Sequence, residues 1–138
     1  MADEAVLVLK YEDPIDFIVA DGATIPKGST LKLSSPRTVA LSDGASDVIA
    51  GIAARDKVAN DGRTRLAVYR RGIFRMGAEG TVTAGQTVVT HGNNKVKTAA
   101  ITDVGAKTLG TALSTSDAAV EIELAPGLCS PQVVGEVN

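Results

Sequence analysis

No tryptophan occurs in the chain, and two tyrosines and two phenylalanines bring the aromatics to only 3% of 138 residues. A sugar-binding platform or a base-stacking surface needs more rings than that. Cysteine and histidine occur once each. A lone Cys129 excludes an internal disulfide and gives no sign of an oxidising compartment. A zinc site takes about four nitrogen or sulfur ligands, or three and a water. Here carboxylates would have to supply nearly all of them, and no Asp/Glu cluster has ligand spacing. The stretch DGASD (Asp43–Asp47) starts like a calcium loop but has no later Glu. His91 falls in an expected hairpin turn, where a polar residue needs no special reason. There is no G-x-S-x-G elbow, H-E-x-x-H pair or P-loop. No catalytic, cofactor-binding or metal-binding residue is therefore assigned, and no enzyme activity is expected.

No apolar run approaches the ~20 residues that span a bilayer. The N-terminal MADEAVLVLK is acidic and does not read as a signal peptide, so synthesis in a cytoplasm is expected. Fourteen basic and 16 acidic residues leave a net charge of −2, with no general pull toward nucleic acid or an anionic membrane.

What remains is Val, Ile, Leu, Ala and Thr, with 14 glycines, a mixture suited to short strands and tight turns. Period-two alternation recurs along the chain. VLVLKY (Val6–Tyr11) is strand-like throughout. TLKLSS aligns Leu31 with Leu33, TRLAVYR aligns Leu66 with Val68, and AVEIELA aligns Val120, Ile122 and Leu124. Turn signals fall between these runs: Asp21-Gly22, Pro26-Lys27-Gly28, Asp43-Gly44, Asn60-Asp61-Gly62 and His91-Gly92-Asn93-Asn94. About ten short strands at this spacing predict an all-β barrel or sandwich. A short helix has two candidate places, Asp103–Lys107 and Ser42–Asp47.

The chain also echoes itself. IPKGSTL (Ile25–Leu31) and VTAGQTV (Val82–Val88) share their apolar, Gly and Thr positions at an offset of 57. IAGIA (Ile49–Ala53) resembles TLGTA (Thr108–Ala112) at an offset of 59. Two degenerate copies of one β unit are expected, near residues 22–72 and 80–127, forming a pseudo-symmetric barrel. The expected organisation is an N-terminal arm over 1–14, one β domain over 15–127 and a C-terminal tail over 128–138.

Residues 63–77 read RTRLAVYRRGIFRMG, with five arginines around Tyr69 and Phe74. This is a solvated strand face, a protein interface rich in Arg and Tyr, or a small nucleic-acid patch. The longer stretch GIAARDKVANDGRTRLAVYRRGIFR (Gly51–Arg75) resembles the head decoration proteins of lambda-type tailed phages. The matching residues are Gly51, Ile52, Ala54, Thr64, Leu66, Tyr69, Arg70, Gly72, Phe74 and Arg75. The second half, from GTVTAGQTV to VEIEL, is similar to a related group of small phage capsid cement proteins. Together the resemblance covers residues 22–125.

That resemblance implies a barrel or β-clip fold and a structural virion protein. It would sit as homotrimers on the outer surface of an expanded icosahedral head, bound to the major capsid protein, and brace the shell. Neither nucleic acid nor membrane is an expected partner. The other reading is a small β-rich module that binds carbohydrate or a receptor. Tyr69, Arg71, Phe74 and Arg75 are the candidate subunit-interface residues. The arm, with Val6, Leu7, Val8, Leu9, Lys10 and Tyr11, is the candidate capsid-binding segment. It either pairs with its own barrel or adds a strand to an open sheet edge of the capsid protein.

Overall fold

The computed structural model describes residues 4–42, 48–92, 94–99 and 108–126. They form eleven strands: β1 (Val6–Leu9), β2 (Ile15–Val19), β3 (Thr30–Ser35), β4 (Thr38–Leu41), β5 (Ile49–Ala53), β6 (Arg65–Tyr69), β7 (Gly72–Ala78), β8 (Thr87–Gly92), β9 (Lys95–Thr98), β10 (Thr108–Ala112) and β11 (Ala119–Leu124). The fold is all-β, and none of the described residues is helical. Both helix candidates lie outside the described residues except Ser42, which follows β4 in no regular element. The alternation works as period two requires. In β11, Val120, Ile122 and Leu124 are buried while Glu123 is exposed.

Strands β2, β4, β3, β5 and β6 close, in that order, into one small barrel. Strands β7, β11, β10, β8 and β9 close into a second through the β7–β9 pairing. The two barrels match strand for strand. Among the described residues their parallel pairs are β2–β4 and β7–β9, which occupy equivalent places. The single bridge Ile25↔Lys57 recurs as Val82↔Ser116. Gly28 and Gly85 take the same left-handed turn, with φ of 89° and 92°. The echo is thus a real duplication, but each copy closes by itself instead of supplying half of one barrel. Each copy also begins one strand earlier than the echo suggests, at Ile15 and Gly72. Those first strands, IDFIV and GIFRMGA, share no residue when aligned by pairing, only the order apolar, charged, apolar, so their pairing reveals the equivalence.

Strand β5 is the wall between the barrels and is buried along its whole length. Ala50 and Ala53 pack with Phe17, Leu31 and Val68 in the first core. Ile49 and Ile52 pack with Phe74, Leu109, Ile122 and Leu124 in the second. Strict alternation cannot send positions 49 and 52 to the same side. A register shift opposite Gly51 inserts the extra residue that makes this possible. Strand β10 carries the equivalent shift between Thr108 and Gly110. A buried hydrogen bond also ties the barrels together: the Thr30 N–H donates to Asn94 Oδ1 at 2.9 Å.

Lys57 is 1% exposed, the charge most thoroughly removed from water among the described residues. Its Nζ donates to the carbonyls of Asp21 and Val58 and to Asp61 Oδ1, each at 2.8 Å. Asp21 Oδ1 lies 3.5 Å away and accepts from the Gly62 N–H at 2.8 Å. One ammonium thereby gathers both loops at that end of the first barrel. Ser116 does the smaller job in the second, its Oγ accepting from the N–H groups of Ala118 and Ala119.

Replacing Lys57 by Met strands one carboxylate and two carbonyls. We expect a loss of about 3–5 kcal/mol, read from chemical denaturation midpoints. The Lys57 hydrogen bond, then the Arg63 N–H, hold the Asp61 carboxyl down from its ordinary 3.8 to about 2. The stability Asp61 contributes is complete above its ordinary pKa and is lost as pH falls toward about 2. Acid titration of stability should show a larger loss in the wild type than in K57M, where only the backbone N–H bonds remain. An acid limb of equal steepness in both would contradict the cage.

Candidate functional site

Strand β1 lies outside both barrels. It pairs antiparallel with the first half of β7, as Val6↔Arg75, Leu7↔Phe74 and Leu9↔Ile73, with an irregularity at Val8. The second half of the same β7 edge pairs with β9 and closes the barrel. Upstream, the Ala5 N–H donates to the Gly28 carbonyl at 2.8 Å. A side chain at position 28 would strike the Ala5 carbonyl at 2.7 Å, so the seat of the arm requires glycine there. Downstream, the Tyr11 hydroxyl donates to Glu123 Oε2 at 2.7 Å. Burial, then Glu123, pushes this phenol above its ordinary 10.0, so it stays a donor at neutral pH.

The arm therefore sits on its own chain, but it presents what it carries. Val6, Leu7, Val8 and Leu9 are 38–55% exposed, and Tyr11 is 51% exposed. The second edge of β1 pairs with no strand among the described residues, because β1 ends its sheet. An open apolar edge of this kind invites another strand.

The first barrel has no such feature. By duplication, the place of Phe74 on β7 is taken by Ile15 on β2. Phe74 is 1% exposed beneath the arm, whereas Ile15 is 48% exposed. On the edge of β2 away from β6, no strand among the described residues pairs with Ile15 or Asp16. Instead Arg37 Nη2 donates to the Asp16 carbonyl at 2.7 Å, and the guanidinium lies 5.3 Å over the Phe17 ring. Pro14 offers no N–H beside it. One edge is guarded by a proline and an arginine; the other carries the arm.

The stretch RTRLAVYRRGIFRMG turns out to be two strands in two barrels: β6 ends at Tyr69 and β7 starts at Gly72. The division spreads the arginines apart. Arg65 is exposed on β6. Arg70 Nη1 donates to the Ala50 carbonyl at 2.9 Å, pinning the dividing wall, and burial, then Arg71, draws its pKa below the ordinary value. Arg75 faces Glu121 across the β7–β11 pair, at 3.8 Å. Phe74 meets Tyr69 edge-on, centroids 5.5 Å apart. Of the four interface candidates, Tyr69, Arg71 and Arg75 keep surface, while Phe74 offers none with the arm seated.

Of the cavities that flank the arm, two share the lining residues Lys27 and Tyr69. A cleft of about 500 Å³ is lined by Lys10, Lys27, Arg55, Asp56, Arg63 and Tyr69, among others. A notch of about 370 Å³ is lined by Leu7, Ile52, Ala53, Phe74, Lys27 and Tyr69, among others. Sequence reading missed both, since each draws on segments scattered along the chain. His91 lies 3.8 Å from Glu79, both on the surface. Among the described residues no three His, Cys, Asp or Glu side chains gather as a metal site, and no described helix is long and apolar enough to cross a membrane.

Two duplicated barrels, a surface arm and two clefts beside it define a small two-barrel β protein. The family model for phage cement proteins matches residues 9–125, most of the chain and both barrels, and the chain belongs to that family. A search of curated proteins finds no match. Membership makes the protein a structural component of a phage virion, associated with the capsid.

Proposed function

We propose that this protein decorates the outer surface of the expanded icosahedral head as trimers, binds the major capsid protein, and braces the shell against packed DNA, with no catalytic role. The observation that supports capsid binding most directly is the open edge of β1, with four exposed apolar side chains. A capsid strand added there extends the order β7–β1 by one, giving main-chain hydrogen bonds for affinity and Val6–Tyr11 for register. The arm need not leave its seat. Tyr69, Arg71 and Arg75 are the candidates for contacts between copies. Each such contact can be small, because the lattice holds neighbours close together.

The test uses expanded heads of the parent phage assembled without this protein. Added protein should co-sediment with them, raise their disruption temperature, and appear by cryo-EM as density grouped around local threefold axes. Protein that stays in the supernatant would end the head-binding reading. Isolated single copies on the shell would end the trimer.

A further inference from the structure

The cleft and the notch share Lys27 and Tyr69, so they form one groove with a cationic end and an apolar end. Lys10 at its rim is paired with Asp13 at 3.2 Å. The carboxylate of Asp56 is engaged by the Lys27 N–H at 2.6 Å, which ties the two loops of the cleft floor together. The side chains of Lys27, Arg55 and Arg63 have no carboxylate within ion-pair distance among the described residues. Three cations without an ion-pair partner, against the one lining carboxylate of Asp56, leave this concave site positive in a chain with a net charge of −2. Low-dielectric walls focus such a field.

The geometry points to an acidic peptide segment of the shell protein as the occupant, its carboxylates at Lys27, Arg55 and Arg63 and one apolar side chain in the notch beside Phe74. This rests on the head-binding reading and adds a second contact to the β1 edge. Arg is suited to the role because its planar fork grips carboxylates in pairs. Nucleic acid fits less well. Its phosphates need a stripe of charge and stacking rings along the path, and this groove gathers its cations in the cleft and has two rings, Tyr69 and Phe74, the latter 1% exposed.

The experiment compares wild type with Arg55→Glu/Arg63→Glu on the same cement-free heads, by co-sedimentation at low and high salt. Both side chains are exposed and unpaired, so the variant should keep its thermal transition. We expect head affinity to fall about tenfold or more, and the salt dependence of binding to flatten. Arg55→Gln/Arg63→Gln should fall between the two. Wild-type binding that the double variant leaves unchanged overturns this inference alone. A wild type that ignores the heads overturns the head-binding reading and this inference with it. A salt-sensitive duplex-DNA gel shift, lost in the double variant, overturns it in favour of phosphate.

Discussion

Gly110→Ala, and separately Gly51→Ala, should each cost about 4 kcal/mol or more, enough to leave little folded protein. The cause is steric and lies in the backbone. A methyl at position 110 would fall onto the carbonyl oxygen of Glu123, with its carbon 3.0 Å away. A methyl at position 51 would fall onto the carbonyl oxygen of Tyr69 and sit 2.7 Å from Val68 Cγ1. Side chains can rotate aside, but these obstacles are main chain. They belong to the β5–β6 and β10–β11 pairs, without which neither barrel closes. Moving them means breaking closure. Gly80→Ala is the control, since nothing lies within 4 Å there and only its φ of 73° is strained. It should cost about 1–2 kcal/mol. Denaturant midpoints of the three variants decide the matter. A Gly110→Ala protein as stable as Gly80→Ala would show that the approach of β10 to β11 can relax.

Removing residues 2–10 should abolish head binding while both barrels stay folded. The arm contributes only three register pairs to β7 and belongs to neither closed ring. Its loss uncovers Phe74, so the cost is not zero. Burying part of Leu7 and the Phe74 ring stabilises by roughly 1–3 kcal/mol, and the melting transition should drop accordingly. Val6→Lys/Val8→Lys separates the two effects. Both side chains already face water, at 55% and 44% exposure, so stability should hold. Two charges on the docking edge should still weaken head binding by about tenfold or more. A truncated protein that unfolds makes the arm a structural strand. A truncated or charged variant that decorates heads with wild-type affinity removes the arm from the interface.

Much of this architecture is legible in the chain because its cause is local. Alternation in Arg65–Tyr69 and Ala119–Leu124 follows from side chains pointing to opposite faces, which any half-buried strand must obey. The repeated glycines are equally readable. Gly28 and Gly85 hold one turn, and the echo of IAGIA in TLGTA preserves Gly51 and Gly110, where only a missing side chain lets two strands meet.

Tertiary structure decided what depends on partners distant in sequence. Closure into two barrels rests on β2 and β7, which share only a short alternation, because their roles are set by pairing. Lys57 reads as a loop lysine in RDKVANDG, yet two loops bury it, since only their joint carbonyls and carboxylate offset its desolvation. The arm is apolar in the sequence, but only the β7 edge shows where it rests, and only Arg37 over Phe17 shows why the first barrel has no second seat. The cationic groove joins Lys10, Lys27, and the pair Arg55 and Arg63 from three segments. Charge acts through space over a few ångströms, and separation along a chain carries no record of that distance.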